Sequence, residues 1–322
     1  MQDRAAALAA AGHHVTVLTS GLTRRNISRT DEISQYLTIR YLSSQSQRYS
    51  DQLASEQLAA CLQINPDIVH SDSLDVNRPW WKELPHTIKT SITLHGFAWG
   101  ALFTQFGLAI AGRGGSNNFD WDGFLKERET INSFNVVIGI SRHEHWMLQS
   151  LFAITRAKLV YNPIANYFFD TPAKPVTPAA SKRFMCAAIS GQSYRGFDLA
   201  EKAAKLAGME LVTHSSTPRE QMPAAYDDCC ALVLPTLFQQ GADLCVDEAQ
   251  SRCRPVLASA TGSYLREAEV NAGIHLFPPG DIEAIAKLMR QASQGKLAAD
   301  AEQSEKHRPE QHIKNWLAAH DS

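Results

Sequence analysis

The stretch LPTLFQQGADLCVDE, Leu234 to Glu248, carries the residue types best suited to handling a phosphorylated ligand. It reads as a strand end, a loop of small residues and a helix start. Gly241 at such a junction lets backbone N–H groups approach a phosphate, and the partial positive charge of a helix N-terminus adds to the attraction. Glu248 falls about one turn into the helix, where its carboxylate could accept hydrogen bonds from ribose hydroxyls. The same pattern also describes a plain crossover with one solvated glutamate, and the residue types alone leave both readings open.

Other combinations offer less. His143 and His145 are separated by one residue in RHEHW, but no cysteine or third ligand stands near them, so a surface helix start accounts for them better than a metal site. Asp120 and Asp122 in NNFDWDGF mimic an Asp-x-Asp cation motif, with helix capping as the simpler role. Trp80 and Trp81 read as packing residues, with a saccharide platform as the alternative. Arg24, Arg25 and Arg29 read as a solvated loop that could also touch anionic lipid or an acidic acceptor.

These residues must be positioned by a frame, and composition bounds it. The 322 residues suit two domains, and 44% hydrophobic with 20% charged residues describe globular cores rather than a disordered or fibrous chain. No run of about 18 apolar residues exists to span a membrane. A net charge of −2 gives no general pull toward nucleic acid. The six cysteines form no Cys-x-x-Cys pair, which favours a reducing compartment without a disulfide framework. MQDRAAALAAAGHH lacks the basic and strongly apolar regions of a signal peptide, so a cytoplasmic location is expected.

The pattern alternates helices with short runs of continuous Val, Ile and Leu, as in parallel sheets covered on both faces. A helix is expected over 5–11, then strands at 14–20 and 38–42, a helix at 51–64, and strands at 67–71, 88–96, 136–141 and 158–164. Residues 165–181, with Pro172, Pro175 and Pro178, form the best linker. Beyond it strands are expected at 183–190, 209–215, 231–236, 255–259 and 274–277. Helices are expected over 197–206, 218–226, 244–250, 282–292 and 309–320. The expected architecture is α/β: two doubly wound Rossmann-like domains, 1–164 and 182–302, facing across a cleft, with 303–322 a final helix packing back on the first.

The Leu234 to Glu248 block, with EAQSRCRPVLAS after it, resembles the donor-site signature of the family-4 retaining glycosyltransferases of the glycogen-synthase-like superfamily. LAAAGHHVTVLTS is similar to that family's first helix and second strand, DIVHSDS to its Asp-Val-Val-His strand, and SITLHGF to its Thr-Leu-His-Gly turn. VVIGISRHEHWML resembles its Val-Ser strand and helix, and LVYNPIA its interdomain Pro-Asn-Gly segment. RGFDLAEKA resembles its Lys-Gly-x-Asp-Leu-Leu element, and FPPGDIEAIAKLM its Pro-Gly-Asp helix. The resemblance implies the glycosyltransferase type B fold, with the donor on the C-terminal domain and the acceptor mostly on the N-terminal one.

It also implies roles. Glu248 would bind the donor ribose and Arg195 the diphosphate, with Gly241 and the amides of Leu244 and Cys245 cradling phosphate. His95 would contact the transferred sugar or its departing phosphate; a histidine hydrogen-bonded at a strand end is the structural alternative. Thr261, Gly262 and Ser263 match a turn near the donor, or a plain turn. Gly96 and Arg113 fall on the acceptor side, where Gly112, Gly114 and Gly115 read as a mobile loop over the cleft, or equally as a merely disordered loop. The departures are as informative. Gln240 stands where the family has its first catalytic glutamate, Asp243 where it has a glycine, and Cys253 where a glycine is common. Ile189 and Ser190 stand where a basic residue is usual. A carboxylate at Asp243 would repel a diphosphate unless it points away. The family's first strand and glycine-rich loop are expected to be missing.

The implied activity is retaining transfer of a sugar from a UDP- or GDP-linked donor to a saccharide or lipid-linked acceptor, with no metal and no cofactor beyond the donor as substrate. Nucleic acid is not an expected partner; weak peripheral contact with the inner membrane face and a partner subunit are further expectations. A catalytically impaired sugar-nucleotide-binding protein and, more distantly, a nucleotide-sugar epimerase are the alternatives.

Overall fold

The computed structural model describes residues 2–20, 29–42, 50–95, 112, 121–187, 193–214, 216–238 and 243–321. Helix α1 (Gln2–Ala10) ends at Gly12, whose φ of 90° lets the chain turn back into β1 (Val15–Ser20). β1 pairs in parallel with β3 (Leu37–Leu42), and β2 (Arg29–Ser34) lies antiparallel to β3 at the sheet edge. The expected strands omit β2. RTDEIS has no apolar run, and Ile33 is 57% exposed, so this strand is held by its backbone ladder rather than by burial.

Helix α2 (Asp51–Ile64) has the expected ends because both have local causes. The Ser50 hydroxyl accepts from the Leu53 N–H, and Asn65 adopts the left-handed conformation after the last turn. Strands β4 (Ile68–Ser71), β5 (Lys89–Leu94), β6 (Val136–Gly139) and β7 (Lys158–Leu159) follow in a parallel sheet of that spatial order. Among the described residues no ladder joins this sheet to β1-β3-β2. Helices α3 (Trp121–Asn132) and α4 (Arg142–Ser150) connect its later strands, around a core that includes Ile92, Ile131, Val137, Leu148 and Phe152. Trp81 belongs to that core, stacked on Phe134 at 4.5 Å with its indole N–H donated to Ser133.

The C-terminal half is one five-stranded parallel sheet in the order β12-β11-β10-β8-β9. Its strands are β8 (Arg183–Cys186), β9 (Glu210–Val212), β10 (Ala231–Leu234), β11 (Val256–Ser259) and β12 (Ile274–Phe277). Strand side chains alternate between two cores: Phe184, Cys186 and Val233 face one, Met185, Leu232 and Leu234 the other. The covering helices are α5 (Phe197–Ala207), α6 (Met222–Asp227), α7 (Leu244–Ser251), α8 (Gly262–Ala268) and α9 (Ile282–Ser293). The chain winds outward from β8 in one direction to β9 and in the other through β10 to β12. The topological switch point therefore lies between β8 and β10, and ligands in such sheets bind beyond the carboxyl ends of those strands.

After the short helix α10 (Ala301–Ser304), helix α11 (Pro309–His320) returns to the N-terminal half. Its Ile313, Trp316 and Ala319 bury themselves against Leu8, Ile138 and Val160. This return shortens β7 relative to the expected strand at 158–164. The Tyr161 and Asn162 carbonyls accept from His312 and His307 instead of a neighbouring strand, and the Ile164 N–H donates to the His307 carbonyl. Other contacts join the halves: Glu267 accepts from the Arg142 N–H at 3.0 Å, and His307 faces Asp247 at 3.0 Å. No helix among the described residues is long and apolar enough to cross a membrane.

Residues 165–181 are tied to the C-terminal half by two guanidinium groups that are 1% and 2% exposed. Arg252 donates to the carbonyls of Phe168, Thr171 and Pro172 and to both oxygens of Asp227; Arg254 donates to the Lys174 and Asp227 carbonyls. Asp227 carries the one carboxylate in ion-pair contact with this buried pair among the described residues. Asp227→Asn is expected to cost about 3–5 kcal/mol, because it leaves buried positive charge uncompensated. Urea denaturation checks this, and a loss below about 1 kcal/mol, the scale of an exposed ion pair, would contradict it.

Candidate active site

The loops after β8 and β10 meet at the switch point. Arg195 ends a 3-10 turn, Ser193–Arg195, and Gly196 follows with φ 68° at the start of α5. A Cβ at Gly196 would collide with the Pro235 carbonyl beyond β10, so the close approach of the two loops requires glycine. That approach brings Arg195 to Asp243, the residue preceding α7. Nη1 of Arg195 lies 3.0 Å from both carboxylate oxygens, and the Tyr264 hydroxyl donates to the same group. Asp243 does not cap α7 with its side chain, because that side chain is engaged elsewhere. Burial opposes the Arg195 charge, but the Asp243 carboxylate holds the guanidinium firmly protonated. The Asp243 carboxylate, which would repel a diphosphate in this loop unless it pointed away, pairs with Arg195.

Leu244 and Cys245 open α7, and Glu248 follows on its second turn. Burial pushes the Glu248 carboxyl up, partly offset by the Tyr226 hydroxyl, which donates to it at 3.0 Å; Arg219 stands 3.8 Å away. Thr261 and Gly262, read from sequence as a turn, form the N-cap and first residue of α8, whose third residue is the Tyr264 that reaches Asp243. The structure therefore gathers Arg195, Leu244, Cys245, Glu248 and the start of α8 around one helix N-terminus.

His95 stands apart, just beyond β5, with its side chain 40% exposed. Its Nε2 lies 3.2 Å from Asp72, just beyond β4, and Asp72 accepts from the Arg4 guanidinium at 2.6 Å. Burial alone would raise the Asp72 carboxyl; the hydrogen bond from His95 and the Arg4 charge hold it well below the usual carboxylate range. His70 and His312 flank Arg4, and burial lowers each to about 4. No hydrogen bond or ion pair joins His95 to the Arg195–Asp243 pair among the described residues. Gln240, Gly241, Gly96 and Arg113 lie outside the described residues.

Sequence reasoning missed Arg4, Asp72, Tyr226 and Tyr264. Asp72 had a signal, since DIVHSDS places it at the carboxyl end of a strand. The two tyrosines had none, since nothing in their local sequence marks them.

The family model for Glycosyltransferase Family 4 matches residues 1–165, just over half of the chain. This chain belongs to glycosyltransferase family 4. Sucrose-phosphate synthase from Thermosynechococcus elongatus superposes on this glycosyltransferase with a TM-score of 0.71 and 16% identity, over 99% of this chain and 89% of that one. The catalytic domain of starch synthase IV from Arabidopsis thaliana, bound to ADP and acarbose, gives 0.59 and 13% over 99% and 92%. HepE of Anabaena in complex with UDP-glucose gives 0.60 and 11% over 84% and 82%. At these identities the likeness is one of fold: two Rossmann-like domains of the glycosyltransferase type B arrangement. A search of curated protein sequences finds no significant match.

The buried histidines give this glycosyltransferase an acid sensitivity. Both bind a proton near pH 4 when folded but near 6.5 when unfolded, so the unfolded chain takes up protons first as pH falls. Their contribution to stability is complete above about pH 6.5 and is lost progressively toward pH 4. Urea midpoints measured across that window should fall for the wild type and fall less steeply for His312→Gln; parallel curves would contradict the assignment.

Proposed function

We propose that this family-4 glycosyltransferase transfers a sugar from a UDP- or GDP-linked donor to a saccharide or lipid-linked acceptor, with retention at the anomeric carbon and without a metal ion. The observation that carries this reading is the placement of Arg195 at the switch point against the N-terminus of α7. On it, residues 1–164 form the acceptor side, 182–302 the donor side and 165–181 the connection, in the cytoplasm. The UDP-glucose complex of HepE and the ADP complex of starch synthase IV, both of this fold, support a nucleotide-sugar donor.

The donor diphosphate takes the place of the Asp243 carboxylate on Arg195, with the Leu244 and Cys245 amides and the helix N-terminus sharing its charge. Tyr226 aims Glu248 at the ribose hydroxyls. The bond from the anomeric carbon to the diphosphate oxygen breaks as the acceptor oxygen bonds to the same face of that carbon. The acceptor proton passes to the departing diphosphate, whose charge Arg195 stabilises. No protein nucleophile is needed, so Gln240 is compatible with turnover. His95 meets the transferred sugar from the other side of the cleft, and closure of the two halves excludes water.

A sugar-nucleotide-binding protein without turnover is the second reading. It is favoured by the same Asp243, whose carboxylate already pairs with Arg195. Isothermal titration with UDP- and GDP-sugars followed by a donor-hydrolysis assay separates the two, and binding without hydrolysis or transfer would sink the first. Arg195→Ala should weaken nucleoside diphosphate binding on the order of 10- to 100-fold, the value of a charge-assisted contact, and Asp243→Asn should strengthen it. Unchanged binding in both variants would refute the site.

A further inference from the structure

Arg4 is 6% exposed and its guanidinium can only donate. Nε points at Nε2 of His312 at 3.2 Å, and Nη1 at Nε2 of His70 at 2.9 Å and at Asp72 at 2.6 Å. Both imidazole nitrogens facing it must therefore be unprotonated acceptors. Their other nitrogens agree: Nδ1 of His312 faces the Tyr161 carbonyl at 2.7 Å, which can only accept, and Nδ1 of His70 faces the Ser91 hydroxyl at 2.7 Å. Two neutral histidines thus lock the guanidinium without adding charge, and its charge is matched by Asp72 alone among the described residues.

Asp72 in turn is an ionised, acceptor-only group, so Nε2 of His95, 3.2 Å from it, has to be the protonated nitrogen. In the neutral ring this makes Nδ1 a lone-pair acceptor. A carboxylate that orients a histidine and selects its tautomer is a recurring device of active sites. For that neutral ring the chemistry decides between the two partners considered for His95. An acceptor nitrogen receives a hydrogen bond from a sugar hydroxyl, whereas a diphosphate oxygen would need a donor.

We infer that Asp72 and Arg4 are positioning residues for His95, fixing it as a hydroxyl acceptor for the bound sugar, with His312 on α11 and Arg4 on α1 bracing the relay. The role of His95 toward the sugar rests on the proposed function; the relay itself does not.

The test is long-range nitrogen–proton NMR of the full chain labelled at histidine, at mildly alkaline pH, with the His95 signals identified by their loss in His95→Gln. The expected wild-type signature is a protonated Nε2 and an unprotonated Nδ1. Asp72→Ala and Arg4→Ala should convert it to a mixture of tautomers, and His312→Gln, which keeps an acceptor for Arg4, should preserve it. A protonated Nδ1 in the wild type, or an unchanged signature in Asp72→Ala, would overturn the relay, and the wild-type spectrum suffices even where a variant fails to fold. None of this requires turnover, so a chain that transfers no sugar leaves the relay testable while refuting the enzyme reading. Where turnover is measured, Asp72→Ala should lower kcat by about 100-fold, the penalty of a misplaced group, with KM for the donor little changed. Equal losses in both would instead indicate a merely structural role and count against the inference.

Discussion

A guanidinium in a protein cannot shed its charge, so wherever one is enclosed the surrounding backbone and carboxylates have to arrange themselves about it. Much of this molecule follows from that constraint. Arg4 draws together the first helix, the end of β4 and the last helix, which are far apart in sequence. Arg252 and Arg254 collect the carbonyls of the proline-rich segment and pin it to the C-terminal sheet. Arg195, less deeply buried, does the same for the two loops of the switch point. Among the described residues, Arg4 and Arg195 are each matched by one aspartate and Arg252 and Arg254 share Asp227, with carbonyls or neutral imidazoles taking further donors where the burial is complete.

The Arg195–Asp243 pair shows how this constraint bears on function. An arginine at the switch point, where sheets of this kind bind ligands, has its charge already answered from within the chain. The Asp243 carboxylate sets a threshold that any anion drawn to Arg195 would have to exceed. Tyr264 reinforces the threshold by holding the carboxylate from a separate helix. An incoming anion would have to offer more than charge to exceed it, and the helix amides and Glu248 stand beside the pair to answer such contacts.

The parallel sheets were legible because their strands are buried on both faces and so read as apolar runs. Helix α2 was legible to the residue because Ser50 and Asn65 act locally. β2 was not, since an edge strand's ladder leaves no trace in side-chain type, and β7 was overestimated because the competitors for its carbonyls lie some 150 residues away. The same division holds for the candidate site. Arg195 and Glu248 sit in local motifs that single them out in the sequence. The contacts that orient them, Asp243 with Tyr264 and Glu248 with Tyr226, join residues about 20 apart through space. Cys253, which departs from a common glycine, does adopt a positive φ of 54°, so that position retains the conformation that glycine would favour.

The chain passes between its two halves twice, once near residue 164 and again near residue 307, and the two passages are hydrogen-bonded to each other. Ile164 donates to the His307 carbonyl, and the His307 ring donates back to the Asn162 carbonyl. Stitched in this way, the two passages act as one double connection, and any rotation of one half against the other also has to break the contact of the Arg142 N–H with Glu267.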